Sequence, residues 1–185
     1  MTHFHSSRKL RSGFSLIELL VVISIIVILA GIGLATFNKV KKNQAIDLTK
    51  VRLKYATLKL EEYANENNGL YPVGDDASSS ILYNALSGDY TGQGEPPTGP
   101  TYWKELLDDD PSLVGVSSGK RVIFDGFLQS LRYRAARDEN GDLVPNVKND
   151  GSFDIWSVGP DGEPSDFNVD GTAESEFTKD DIWGR

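Results

Sequence analysis

The chain contains no cysteine. That excludes a disulfide staple and any thiolate metal site. Its two histidines, His3 and His5, both lie ahead of Gly13. A product cut at that glycine would hold neither imidazole nor thiol, so most nucleophile and base pairs, zinc sites and haem ligands are excluded. The expectation is a chain that is not an enzyme. Positive charge is also scarce: 19 Lys and Arg face 27 Asp and Glu, for a formal net charge of −8. Loss of residues 1–13 would take Arg8, Lys9 and Arg11 with it and leave −11. So acidic a body cannot neutralise phosphates, and no nucleic-acid partner is expected. Residues 38–67 have neither Pro nor Gly and are rich in Lys, Leu, Ala and Glu, which predicts a helix.

The chain does have one long apolar run, "GFSLIELLVVISIIVILAGIGLATF" at 13–37, with a single carboxylate, Glu18, inside it. A charge in a membrane helix costs roughly 2.5–3.5 kcal/mol even on a mild scale, so Glu18 implies a partner or a task. As a helix, residues 14–37 would span about 36 Å, enough to cross a bilayer. Three readings compete: a signal peptide cut near Gly33-Leu34-Ala35, an ordinary single-pass anchor, and an anchor with a removable basic leader. The run exceeds the roughly 7–15 apolar residues of a signal peptide, which disfavours the first. Lys39, Lys41 and Lys42 balance the basic residues before Gly13, so loop charge does not set orientation.

On a helical wheel Leu48, Val51, Tyr55 and Leu58 form one apolar stripe, and Ile46, Leu53 and Leu60 form another nearly opposite. Either the helix is sunk in its own domain, or one stripe serves the domain and the other neighbouring subunits. "NENNGLYP" at 65–72 stops it, with Gly69 as a left-handed cap and Pro72 beyond. "ILYNALSG" from Ile81 and "TYWKELL" from Thr101 read as short helices flanking a Gly/Pro-rich loop. "KRVIFD" (120–125), "LQSLRYRAA" (128–136) and "SFDIWSV" (152–158) read as strands, made antiparallel by turn signals at 138–142 and 149–151. The fold class is therefore α+β: a long N-terminal helix packed on a small antiparallel sheet.

Basic residues, Gly13, then Phe14-Ser15-Leu16-Ile17-Glu18 and an unbroken apolar run resemble the processing motif of type IV pilins and of the pseudopilins of type II secretion. The resemblance implies a pilin-like fold and cleavage by a prepilin peptidase between Gly13 and Phe14, followed by N-methylation. It divides the chain into a leader at 1–13, a transmembrane segment at 14–37, an amphipathic continuation at 38–68 and a head at 69–185. It also gives Glu18 a task, pairing with the α-amine freed at a neighbour's Phe14 during polymerisation; the alternative is a Glu that snorkels to the interface. Pilin-like chains usually carry a Pro where Ala35 stands, and Gly31 and Gly33 are the available substitutes for its looseness.

Without cysteine, the disulfide that closes many major pilins is impossible. Tyr71-Pro72, "DIWSVGPDG" at 154–162 and Asp181-Ile182-Trp183 are instead similar to elements of the major pseudopilin, while Asp125-Gly126-Phe127 stands for its Asp-Pro-Trp. That resemblance implies a homopolymer driving protein secretion across the outer membrane. Its implied partners are copies of itself, minor pseudopilins, an inner-membrane assembly platform and an outer-membrane secretin, with the head in the periplasm. The alternatives are a type IV pilin for adhesion, motility or DNA uptake and, from another class, a periplasmic binding protein or carboxylate hydrolase with a signal peptide.

From Asp138 onward 13 acidic residues face 3 basic ones. Asp166, Asn168, Asp170 and Gly171 follow a D-x-N-x-D-G spacing suited to calcium, with Glu174 at the ninth position of such a loop. Phe177 at the twelfth excludes a full EF-hand. The resemblance places calcium ligands at Asp161 and at Asp181 or Asp180, with 166–174 joining the same ion or binding a second; the alternative is a solvated loop without metal.

Overall fold

The structure, a computed structural model, describes residues 14–73, 79–138, 140–144, 147–162 and 181–184, with the backbone alone over 32–36. It divides into two compact units, Met1–Lys41 and Lys42–Arg185. Helix α1, Leu16–Glu66, contributes to both.

In the first unit the described apolar side chains of α1 are all exposed, from Leu16 at 87 % to Val22 at 46 %. Among the described residues of that unit nothing covers them. Such a contiguous apolar surface calls for an apolar partner outside the chain. Among the described residues no helix is long and apolar enough to cross a membrane. The described side chains of α1 run unbroken only from Leu16 to Gly31, about 24 Å of helix against a hydrocarbon core of about 30 Å.

In the second unit α1 buries Leu53, Ala56, Leu60 and Ala64 together with Thr49 and Arg52, while Ile46 is half-buried. Leu48, Val51, Tyr55 and Leu58 stay 36–64 % exposed. The two expected stripes thus part company: the one through Leu53 and Leu60 is buried in the head, while the other touches it through Tyr55, whose ring meets Trp103 edge-on at 4.9 Å. The helix ends as its composition dictates, with Asn68 (φ 57°) and Gly69 (φ 80°) both left-handed and the Gly69 N–H donating to Ala64 O at 2.7 Å.

Helix α2 (Ser79–Ser87) and a 3₁₀ turn (Lys104–Leu107) are the two short helices. Strands β1 (Val114–Ser117) and β2 (Lys120–Ile123) form a hairpin, and β3 (Arg132–Ala135), β4 (Phe153–Ser157) and β5 (Ile182–Trp183) form an antiparallel sheet in that order. The expected single sheet is therefore two, joined by the Phe124–Ser130 bridge and by Leu131 N–H donating to Ile123 O. Tyr133, Ala135, Phe153 and Ile155 alternate onto the core face, where they meet Leu53, Leu60, Leu82 and Leu86. The Tyr-Pro pair is fastened to the same sheet: Tyr133 OH donates to Pro72 O at 2.8 Å, and Tyr71 lies 4.8 Å from the Phe153 ring. Burial pushes the Tyr133 phenol well above its ordinary pKa. Asp89 organises the loop after α2 by accepting from the backbone of Thr91, Gly92 and Gly94 and from Thr91 Oγ1. Burial alone would raise its pKa, but those hydrogen bonds outweigh it and hold the carboxyl below the ordinary range.

Candidate functional site

The first site is the start of α1. Phe14 is 79 % exposed. Gly13 lies outside the described residues. Ser15 is the N-cap and Glu18 the third helical residue, and Glu18 Oε2 accepts the Ser15 N–H at 2.9 Å while Ser15 Oγ accepts the Ile17 N–H at 3.4 Å. This is the reciprocal capping arrangement of an S-x-x-E sequence, with the hydroxyl turned to the second N–H rather than the third. Glu18 thus has a local partner in the single chain, and its charge lies at the positive end of the helix. The S-x-x-E spacing was visible in the sequence, yet Glu18 was read there for its depth in the apolar run and for the role the resemblance implies, not as a cap.

The second is the edge where the C-terminal loop leaves and rejoins the sheet. Register pairs Ser157 with Ile182 and Trp156 with Trp183, and Gly184 N–H donates to Ile155 O at 3.0 Å. Trp183 stacks on Trp156 with ring centroids 5.2 Å apart, and Lys148 Nζ lies 3.6 Å above Trp183. Antiparallel pairing brings both ends of the loop to one end of β4. Asp161 there is exposed, whereas the carboxylate oxygens of Asp181 are buried. Asp166, Asn168, Asp170, Glu174 and Asp180 lie outside the described residues. Among the described residues no three His, Cys, Asp or Glu are grouped to hold a metal ion.

Asp154, part of the motif at 154–162, turns instead to the preceding loop, accepting from Lys148 N–H at 2.6 Å and from Asn149 Nδ2 at 2.7 Å. The larger surprise is Asp125. Its Oδ1 accepts the N–H groups of Phe127 and Gln129, both at 2.8 Å, and its Oδ2 accepts Ser157 Oγ at 2.5 Å. Ser157 Oγ in turn accepts the Gly159 N–H at 3.0 Å. The 125–129 turn is therefore tied to the strand that leads into the acidic loop. Helix α1 holds it from the other side: Arg52 Nη1 donates to the carbonyls of Ser112, Phe124 and Asp125, and Thr49 Oγ1 accepts the Gly126 N–H at 2.9 Å while donating to Ala45 O. Burial pushes the Arg52 guanidinium below its ordinary pKa, opposed by Asp110 and Asp125. A basic residue on a helix reads from sequence as solvent-facing, and no spacing signal marks Arg52 as a clamp.

A groove of about 820 Å³ also opens beside the end of α1, between Asn67–Tyr71 and the β3–β4 turn. It contains none of the site residues expected from sequence. No curated protein and no solved structure matches the chain. Residues 8–34 match the family model of the prokaryotic N-terminal methylation motif, and this match supports a type IV pilin-like chain.

Proposed function

We propose that the chain is a structural filament subunit, anchored in the inner membrane through residues 14–37 and polymerising into a pseudopilus that drives protein secretion. The observation that carries this is the N-terminal methylation motif, which runs into a helix whose described apolar side chains find no cover among the described residues of their unit. Prepilin peptidase acts between Gly13 and Phe14, and the head resides in the periplasm. The exposed stripe of Leu48, Val51, Tyr55 and Leu58 favours self-association over a monomeric binding protein. Absence of cysteine and the Asp181-Ile182-Trp183 end favour the pseudopilin over a surface pilin.

Glu18→Val tests the reading. The mature variant should still begin at Phe14 on N-terminal sequencing and still partition with membranes, but filaments seen by electron microscopy should be lost. Normal filaments would remove Glu18 from assembly, and a mature N-terminus at Thr36 would replace the filament reading with a signal peptide.

We further propose calcium as a structural ion of the acidic loop. The β4–β5 register supports this by bringing Asp161 and Asp181 to one end of the sheet, and a carboxylate-rich, carbonyl-rich donor set suits calcium better than magnesium. Asp166, Asn168, Asp170, Glu174 and Asp180 supply the remaining candidate oxygens. Binding to the folded state alone stabilises by about 2.7 kcal/mol at roughly 100 times Kd. Thermal unfolding of the full chain in detergent should show a midpoint raised by calcium and not by magnesium, with the rise lost in Asp161→Ala. Identical midpoints in calcium, magnesium and chelator would eliminate the site.

A further inference from the structure

The turn at 125–129 carries a leucine where its backbone favours glycine or asparagine. Leu128 has φ 62°, in the left-handed region that a bulky side chain rarely occupies, and its side chain is 59 % exposed. A lone exposed leucine is ordinary. Here backbone strain and apolar exposure fall on one residue, and strain of this kind gathers at functional sites whose surroundings hold it in place. The surroundings do hold it. Asp125 N–H donates to Gln129 O at 2.7 Å and Gln129 N–H donates back to Asp125 Oδ1 at 2.8 Å, while Gly126 is hydrogen-bonded to Thr49 and pressed against the Ala45 carbonyl. Leu128 therefore stands on a rigid tip.

We propose that Leu128 is a lipid contact of the head, its side chain entering the surface layer of the membrane while the subunit is still anchored there. The inference rests on the reading of residues 14–37 as a membrane anchor and adds a second contact to it. From Phe37 to Gln44 every side chain of α1 is exposed, and cover begins at Ala45 and Ile46, the level at which Gly126 lies. Eight residues, about 12 Å of helix, separate Ala45 from Phe37. Headgroups fill about 5–8 Å of such an interval, and an ordinary helix tilt of about 20° lowers one side of the head further. Charge points the same way. Lys39, Lys41 and Lys42 are exposed along this interval, a basic cluster of the kind that anionic headgroups attract, whereas the chain beyond Lys42 is strongly acidic. Anionic lipid thus draws this end of the head inward and repels the rest.

The cysteine-free chain lets one position be labelled at a time. Full-length Leu128→Cys and Leu143→Cys, each carrying a polarity-sensitive fluorophore, are reconstituted in vesicles of phosphatidylcholine and phosphatidylglycerol. Leu143 is the matched control, also 59 % exposed but bridged to Arg137 beyond the other end of β3. Acyl-brominated lipid should quench the label at 128 at least about threefold more than the label at 143. Leu128→Gly should melt no lower than the parent, because glycine accepts φ 62° and the lost side chain is exposed. A Leu128→Gly variant that melts well below the parent would place Leu128 in the packing of its own head and overturn the contact. Equal quenching at 128 and 143 would overturn it too. So would a label at 128 that shifts to the blue only as subunits are crowded, without quenching by lipid, which would give Leu128 to a second copy. A chain washed from the vesicles at alkaline pH would overturn the anchor reading itself, whereas a retained chain without quenching at 128 overturns the head contact alone.

Discussion

Asp125→Ala should destabilise the head by about 3–5 kcal/mol. The carboxylate is fully buried and accepts two backbone N–H groups and the Ser157 hydroxyl. Alanine fills none of those acceptor sites, and each buried donor left unpaired costs about 1–3 kcal/mol. It also removes one of the two negative charges, Asp110 and Asp125, that favour the charged form of Arg52. For a domain of this size the melting midpoint should fall by about 10 °C or more, followed by far-ultraviolet circular dichroism. Asp125→Asn keeps an acceptor for the two N–H groups, and its amide can donate to Ser157, so it should lose less than half as much. An alanine variant that melts within about 2 °C of the parent would show that water satisfies the turn as well as the carboxylate does.

Gly126→Ala should cost about 3 kcal/mol, for a steric reason. A Cβ on Gly126 would lie 2.0 Å from the Ala45 carbonyl oxygen and 2.8 Å from its carbon. Both are backbone atoms inside a helix, so the turn must retreat. Retreat stretches the Gly126–Thr49 hydrogen bond and the Arg52 contacts to Phe124 and Asp125 together. Gly151→Ala is the control, because a Cβ there meets nothing within 4 Å and the residue needs no positive φ. Its stability should stay within about 0.5 kcal/mol of the parent. Equal melting of the two variants would mean that the 125–129 turn is not pressed against α1.

These two residues also mark where sequence reading ended. The helix limits were legible because they depend on neighbours in the chain: a run free of Pro and Gly, then Asn68-Gly69 in the left-handed region. The apolar stripes were legible by period. Strand β1 was not, because Gly115 interrupts it, and the reason for that glycine is the Phe124 ring lying where its Cβ would be. The Ser118-Gly119 turn that closes the hairpin, with φ 52° and 78°, was equally available in the sequence and overlooked. Asp125 was seen only as the end of a strand and as the stand-in for the Asp of an Asp-Pro-Trp element. Its meaning comes from Ser157, 32 positions away, and no local rule connects them. The start of α1 was legible as a motif before its geometry was known, but the partner of Glu18 in the single chain was not read from it.

That partner changes how the helix start would behave during polymerisation. The Glu18 carboxylate already accepts the Ser15 N–H, and a neutral donor leaves it its full negative charge. Under the proposed pairing a neighbour's ammonium would therefore find a carboxylate already oriented by the helix start, and the contact would still remove a charge from the apolar layer.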